Sequence, residues 1–155
     1  MKVQICAVGT KMPDWVETGY TTYAQRLTQE VRLQLLEIPA GKRTKNADTH
    51  GLVQQESQAL LAACPANYYR VALDVKGTEL STAQLAEQLK QWLQLGKHIS
   101  LLIGGPEGLS ADCLKQVEFR WSLSPLTLPH PLVRILVAEQ IYRAWTLLSG
   151  HPYHR

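Results

Sequence analysis

"HISLLIGGPEGLS" occupies His98–Ser110. From Ile99 to Ile103 it is a nearly unbroken apolar run of strand length. Lack of alternation is the pattern of a strand covered on both faces, as in a parallel sheet. Gly104 and Gly105 end the run, Pro106 fixes one φ, and Ser110 opens a short helix. A glycine-rich corner after a strand can cradle phosphate, turn the chain, or hold a ligand without phosphate. A phosphate loop of the G-x-x-x-x-G-K-[ST] type wants a lysine at the helix start. Here the charge in the corner is Glu107, and the next lysine is Lys115. The G-x-G-x-x-G pattern is not met either. Nucleoside triphosphates and dinucleotides are therefore disfavoured. A plain turn and a phosphate-free pocket both stay open.

The same grammar extends outward. "VQICAVG" (Val3–Gly9) reads as a first strand, and Asp14 with Glu17 forms a D-x-x-E capping pattern for a helix reaching about Leu27. "LQLLEIP" (Leu33–Pro39) is a second strand, followed by a basic loop and a helix through "GLVQQESQALLAAC". "YYRVALD" (Tyr68–Asp74) is a third strand, closed by Gly77. Ser81 and Gln84 cap a helix over "TAQLAEQLKQWLQL" that ends at Gly96. His98–Gly104 is the fourth strand, "FRWSLS" (Phe119–Ser124) the fifth, and a long helix runs from about Pro131 to Leu148. Strands alternating with helices predict an α/β fold, a mostly parallel sheet with helices on both faces. Ligands bind beyond the carboxyl ends of such strands. That marks Leu73–Asp74, Gly104–Gly108 and Ser124–His130 as one candidate rim.

A chain of 155 residues, 45% hydrophobic and 19% charged, suits one domain over 1–155 with a real core. Nothing resembles a membrane span or a secretory leader, so the expected address is cytoplasmic. Cys6, Cys64 and Cys113 are odd in number and widely spaced, which fits reduced thiols. No metal site is expected, because His151 and His154 lack further ligands nearby. There is no G-x-S-x-G and no cysteine beside a base, so hydrolysis finds no support.

The charge of +3 is modest. Lys42, Arg43 and Lys45 concentrate it in the loop "GKRTKN", either as solvated loop charge or as a phosphate contact. The final helix is apolar around most of its circumference, which predicts burial, partly against a second subunit. Glu139 and Arg143 are four apart on it and can pair. The tail "HPYHR" combines an aromatic ring with basic groups, a composition suited to stacking and phosphate contact with RNA.

Taken together, "AVGTKMPDWV", "IPAGKRTKNAD", "LLIGGPEGLS", "WSLSPLTLPHPLVRILVAEQIYRAW" and "HPYHR" resemble the RlmH family over essentially the whole chain. These are ribosomal RNA large-subunit (pseudouridine-N3)-methyltransferases of the SPOUT superfamily. The resemblance implies a C-terminal trefoil knot, a rare exception to the rule against knots. It also implies a homodimer through the last helix, S-adenosylmethionine as cofactor, and a pseudouridine in a hairpin loop of 23S rRNA on the assembled bacterial ribosome as substrate. By position it assigns Leu73, Gly104, Gly105, Leu123, Ser124, Pro125, Leu126, Thr127 and Leu128 to the cofactor. Pro125 departs from relatives that carry an N–H there. The resemblance places Tyr153, His154 and Arg155 on the substrate side, with the tail of one protomer completing the site of the other. Removing a proton from N3 calls for a base, for which Glu139 and His154 are candidates, with Arg143 stabilising negative charge. Lys42, Arg43 and Lys45 are the expected RNA contacts. A non-catalytic ribosome-binding factor, a SPOUT enzyme for another RNA position, and a dimeric α/β domain with a small ligand are the competing readings.

Overall fold

A computed structural model describes residues 1–154. Arg155, named above for the substrate side, lies outside the described residues. Five strands, β1 (Lys2–Val8), β2 (Arg32–Ile38), β3 (Tyr69–Glu79), β4 (Ile99–Ile103) and β5 (Phe119–Ser122), form one sheet in the order β2-β1-β4-β3-β5. Every strand pairing in it is parallel. The helices are α1 (Asp14–Ala24), α2 (Thr49–Ala63), α3 (Thr82–Leu95), α4 (Ala111–Leu114) and α5 (His130–Ser149), followed by a 3-10 turn at Pro152–His154.

The apolar run of β4 is buried at every position, as expected for the central strand. One core cluster lies under α1, α3 and α5 and includes Ile5, Leu89, Trp92, Trp121 and Ile141. A second lies under α2 and α4 and holds Cys6, Leu60, Leu102 and Cys113. The sheet is thus covered on both faces. All three cysteines are free and buried, with the sulfurs of Cys6 and Cys64 4.0 Å apart.

Four expectations change in detail. β5 stops at Ser122, short of Ser124. Asp14 is not a cap: Pro13 precedes the helix without a side-chain bond, and Asp14 and Glu17 fall in its first turn. There they still complement the helix dipole. α1 also stops at Ala24, short of Leu27. Gly77 does not close β3, which continues to Glu79 after a register shift between Leu73 and Thr78. A Cβ on Gly77 would stand 2.7 Å from the carbonyl carbon of Arg120, so the glycine lets β3 press against β5 past the irregularity. By contrast, Ser81 and Gln84 do form a reciprocal capping box, and Gly96 ends α3 in the left-handed region.

α5 packs on α1 and α3. Val137, Ala138, Ile141 and Ala144 are fully buried in the protomer. Leu132, Ile135 and Leu136 are only half-buried, and Leu147 and Leu148 are exposed. A Cβ on Gly19 would come within 2.9 Å of Ile135, so Gly19 sets how closely α1 and α5 approach. None of the helices is long and apolar enough to cross a membrane, among the described residues.

Candidate active site

β3, β4 and β5 end side by side, and beyond their carboxyl ends lies a cavity of about 640 Å³. β3 contributes Leu73 and Asp74 to its wall, and β4 leads into Ile103, Gly104 and Gly105. β5 and the segment after it contribute Trp121, Leu123, Ser124, Leu126, Thr127 and Leu128, and α5 adds His130 and Val133. The rim expected from strand ends is therefore one continuous cavity. Of the residues assigned to the cofactor, Pro125 alone does not line it and points to solvent.

The glycines of the corner make room for the chain itself. Gly105–Gly108 is a tight turn, with Gly108 N–H donating to Gly105 C=O at 3.0 Å and Gly108 at φ +82°. Pro106 occupies the second turn position, where its fixed φ suits it. A Cβ on Gly104 would lie 2.6 Å from the backbone of Gly108. A Cβ on Gly105 would lie 3.2 Å from Glu56 Oε1 and 3.3 Å from an Arg43 nitrogen.

That contact exposes an ion-pair cluster at the cavity edge. Arg43 donates to both carboxylate oxygens of Glu56, through Nη2 to Oε1 at 2.7 Å and through Nη1 to Oε2. It also donates through Nη2 to Glu107 at 2.8 Å and through Nη1 to its neighbour Gly41 C=O at 2.9 Å. Glu56 is 4% exposed and also accepts from Gly41 N–H at 2.8 Å. The hydrogen bond from Arg43 holds the Glu107 carboxyl below its usual range. Arg43 thus reaches inward, while Lys42 and Lys45 stay exposed.

On the opposite wall, Ser122 hydroxyl donates to Ser124 C=O at 3.1 Å, and Leu126 N–H donates to Ser124 Oγ at 3.0 Å. These bonds shape the Ser124–Leu128 arch and leave the Leu126 side chain 69% exposed. His130 stands where the arch enters α5, its Nδ1 buried without a partner. Burial, then the charges of Arg134 and Arg43, push its pKa down. One turn on, Arg134 is 1% exposed and ties α5 to the strand ends. It donates to Glu37 at 2.8 Å and to the carbonyls of Val8 at 3.4 Å and Gly9 at 3.3 Å.

The proposed substrate-side residues form a separate cluster. Glu139 Oε1 accepts from Arg143 Nε at 2.8 Å and from the Tyr153 hydroxyl at 3.1 Å, and Oε2 accepts from Gln140 at 2.8 Å. The expected Glu139–Arg143 pair is present. Tyr153 packs on Tyr142 with ring centres 4.6 Å apart, and Arg143 lies 5.0 Å from its ring centre. Burial, together with the adjacent Glu139 carboxylate, raises the Tyr153 hydroxyl to about 12. His154 is half-buried with Nδ1 unpartnered. None of these four lines the cavity. From Val133 to Arg143 is about 15 Å along a helix. Among the described residues, the tail of a protomer therefore does not reach its own cavity.

The sequence reading missed Glu56, Arg120, Lys76 and Arg134 at or beside the site. A cation in the middle of an apolar helix needs a buried partner, and that was the available signal for Arg134. Lys76 and Arg120 also line the cavity, on strands β3 and β5 that are neighbours only in the sheet. Among the described residues, no group of three or more His, Cys, Asp or Glu side chains is placed to hold a metal.

The family model described as "Predicted SPOUT methyltransferase" matches residues 1–154. The fold is similar to that of a protein described as a probable methylase family member from Haemophilus influenzae Rd KW20, with a TM-score of 0.58 and 14% identity. That match covers 99% of this chain and 70% of the other. A second similar structure, described as belonging to a methylase family, is from Neisseria gonorrhoeae, with a TM-score of 0.52, 12% identity, and coverage of 90% and 81%. With a family match across the described length and a parallel sheet ending in a cavity of this kind, the chain belongs to the SPOUT methyltransferases and is of the RlmH type.

Proposed function

We propose that this methyltransferase is S-adenosylmethionine-dependent and methylates N3 of a pseudouridine in a hairpin loop of 23S rRNA, in the cytoplasm, on the assembled ribosome. The observation that carries the reading is the cavity at the ends of β3, β4 and β5. Its walls include every residue that the resemblance assigns to the cofactor, Pro125 excepted.

The cavity suits that cofactor. Its volume is in the range of small-molecule sites, roughly 300–1,000 Å³. Leu73, Ile103, Leu123 and Leu128 offer apolar walls for a flat neutral ring; the charges in the lining are mixed, Asp74 and Glu107 against Lys76 and Arg120, and Glu107 is taken up by Arg43. When bound, S-adenosylmethionine supplies a methyl group already activated by its sulfonium. The protein then needs mainly to orient the partners and exclude water. The exposed Leu126 is positioned on the arch to cover a ligand in the cavity.

The proton on N3 must leave as the methyl arrives. Both oxygens of Glu139 are occupied by donors, which suits orienting Tyr153 and Arg143 better than taking a proton. His154 is our choice of acceptor, directly or through water, by way of Nε2, because Nδ1 is buried. Arg143 balances negative charge on the base, and Tyr153 offers a ring for stacking. Lys42 and Lys45 hold phosphate.

The tail and the cavity lie apart in one protomer. The active form is accordingly a two-fold homodimer in which each tail closes its partner's cavity. The half-buried Leu132, Ile135 and Leu136 supply apolar surface for that contact. The C-terminal segment carries the trefoil knot expected of this fold. Mass-spectrometric mapping of rRNA from cells with and without the gene tests the substrate. Loss of one methyl on one pseudouridine is expected; an unchanged rRNA overturns the reading.

A further inference from the structure

We propose that Arg43 is a positioning residue for the cofactor site, not an RNA contact: it clamps the Gly105–Gly108 turn to α2 and thereby couples the lysine-bearing loop to the cavity wall. This rests on the cavity being the cofactor site.

The geometry supplies the clamp. A single guanidinium bridges Glu56 on α2 and Glu107 on the turn, and Gly41 N–H binds the same Glu56 carboxylate. Glu107 is the third residue of the tight turn, and Gly104, Gly105, Pro106 and Gly108 around it all line the cavity. The turn makes one internal main-chain hydrogen bond across its mouth. Arg43 is thus its second anchor, through a side chain and from a different element. Gly105 has no room for a side chain because the Glu56–Arg43 pair fills that space. Lys42 immediately precedes this anchor and Lys45 lies two residues after it, both exposed. Whatever moves these lysines pulls on the clamp, and whatever orders the turn steadies the lysines. Coupling between two ligands is reciprocal by thermodynamic necessity.

Arg43→Lys separates geometry from charge. A lysine retains the cation but cannot span two carboxylates with a planar fork. The readouts are S-adenosylmethionine affinity by calorimetry, affinity for rRNA hairpin or ribosomes, and melting temperature. For Arg43→Lys we expect cofactor binding weakened by about tenfold, with RNA affinity in the absence of cofactor nearly unchanged. Glu107→Gln should weaken the cofactor similarly, and the double variant should be no worse than either single one. A Lys42→Ala, Lys45→Ala variant should show the opposite split, losing RNA affinity and keeping the cofactor. Unchanged cofactor affinity in Arg43→Lys, or additive losses in the double variant, would overturn the clamp. Equal loss of both ligands in step with a fallen melting temperature would overturn it too, in favour of a plain fold role. If the wild-type protein does not bind the cofactor at all, the failure lies with the proposed function instead.

Discussion

Gly104 shows how little space the cavity wall allows. A methyl group there meets the Gly108 backbone at 2.6 Å, and backbone cannot rotate aside. Gly104→Ala should force the turn open, at about 1–3 kcal/mol, the usual range for overpacking. Calorimetric titration should then find cofactor affinity sharply reduced, with the fold retained. His130 makes a different prediction. Its pKa in the fold is pushed below the ordinary histidine value of about 6.5 by burial and by Arg134 and Arg43, against the partial opposition of Glu56. The unfolded chain therefore binds a proton more readily. His130 contributes nothing unfavourable above about pH 6.5, and stability is lost as pH falls through the folded value. Denaturant melts at about pH 5 and about pH 7.5 should show this loss, and His130→Gln should flatten it. At this scale the sequence was most legible where a glycine or proline marks a turn, as at Gly104–Gly108; what the glycines make room for, the Gly108 backbone and the Glu56–Arg43 pair, appears only in the fold. It was least legible for Arg43. A cation among lysines in a loop carries no mark of the buried carboxylate on another element that claims it.

The elements were easier to read than their ends. Apolar runs and capping residues are local signals, and the Ser81–Gln84 box formed as its spacing required. Ser81→Ala should cost about 1 kcal/mol and lower the melting temperature without touching cofactor affinity. Asp14 failed as a cap because Pro13, with its fixed φ, already sets the extended conformation that precedes the helix. The continuation of β3 past Gly77 was hidden, since it depends on the approach of β5 from more than forty residues away. α5 is fixed to the sheet by Arg134, the cation that bridges Glu37 and the last carbonyls of β1. Arg134→Leu should leave Glu37 without its partner and those carbonyls bare. Because Glu37 is about a third exposed, the expected loss is roughly 2 kcal/mol, below the range for fully buried pairs. Chemical denaturation of the variant measures it.

In the whole molecule the cavity and the tail are assets of different ends of α5. The dimer reading has a direct test in mixed assemblies. A protomer with Gly104→Ala should lack a cavity, and one with Tyr153→Ala should lack a working tail. Each homodimer should be inactive. Co-refolded mixtures should recover roughly a quarter of wild-type turnover, since random pairing leaves half the dimers mixed, with one intact site each. No recovery would mean that each protomer works with its own tail.

The strand order has a consequence for how such a chain is made. β1 pairs with β2, the next strand in sequence, but its other edge belongs to β4. Until about a hundred residues have left the ribosome, Val3, Ile5 and Ala7 offer an open, apolar hydrogen-bonding edge to anything nearby. The last strand to arrive, β5, then completes the far side and immediately precedes the arch that lines the cavity. Synthesis of this protein therefore passes through a long interval when half a sheet is exposed, and the cavity is complete only once β5, the arch and the start of α5 have arrived.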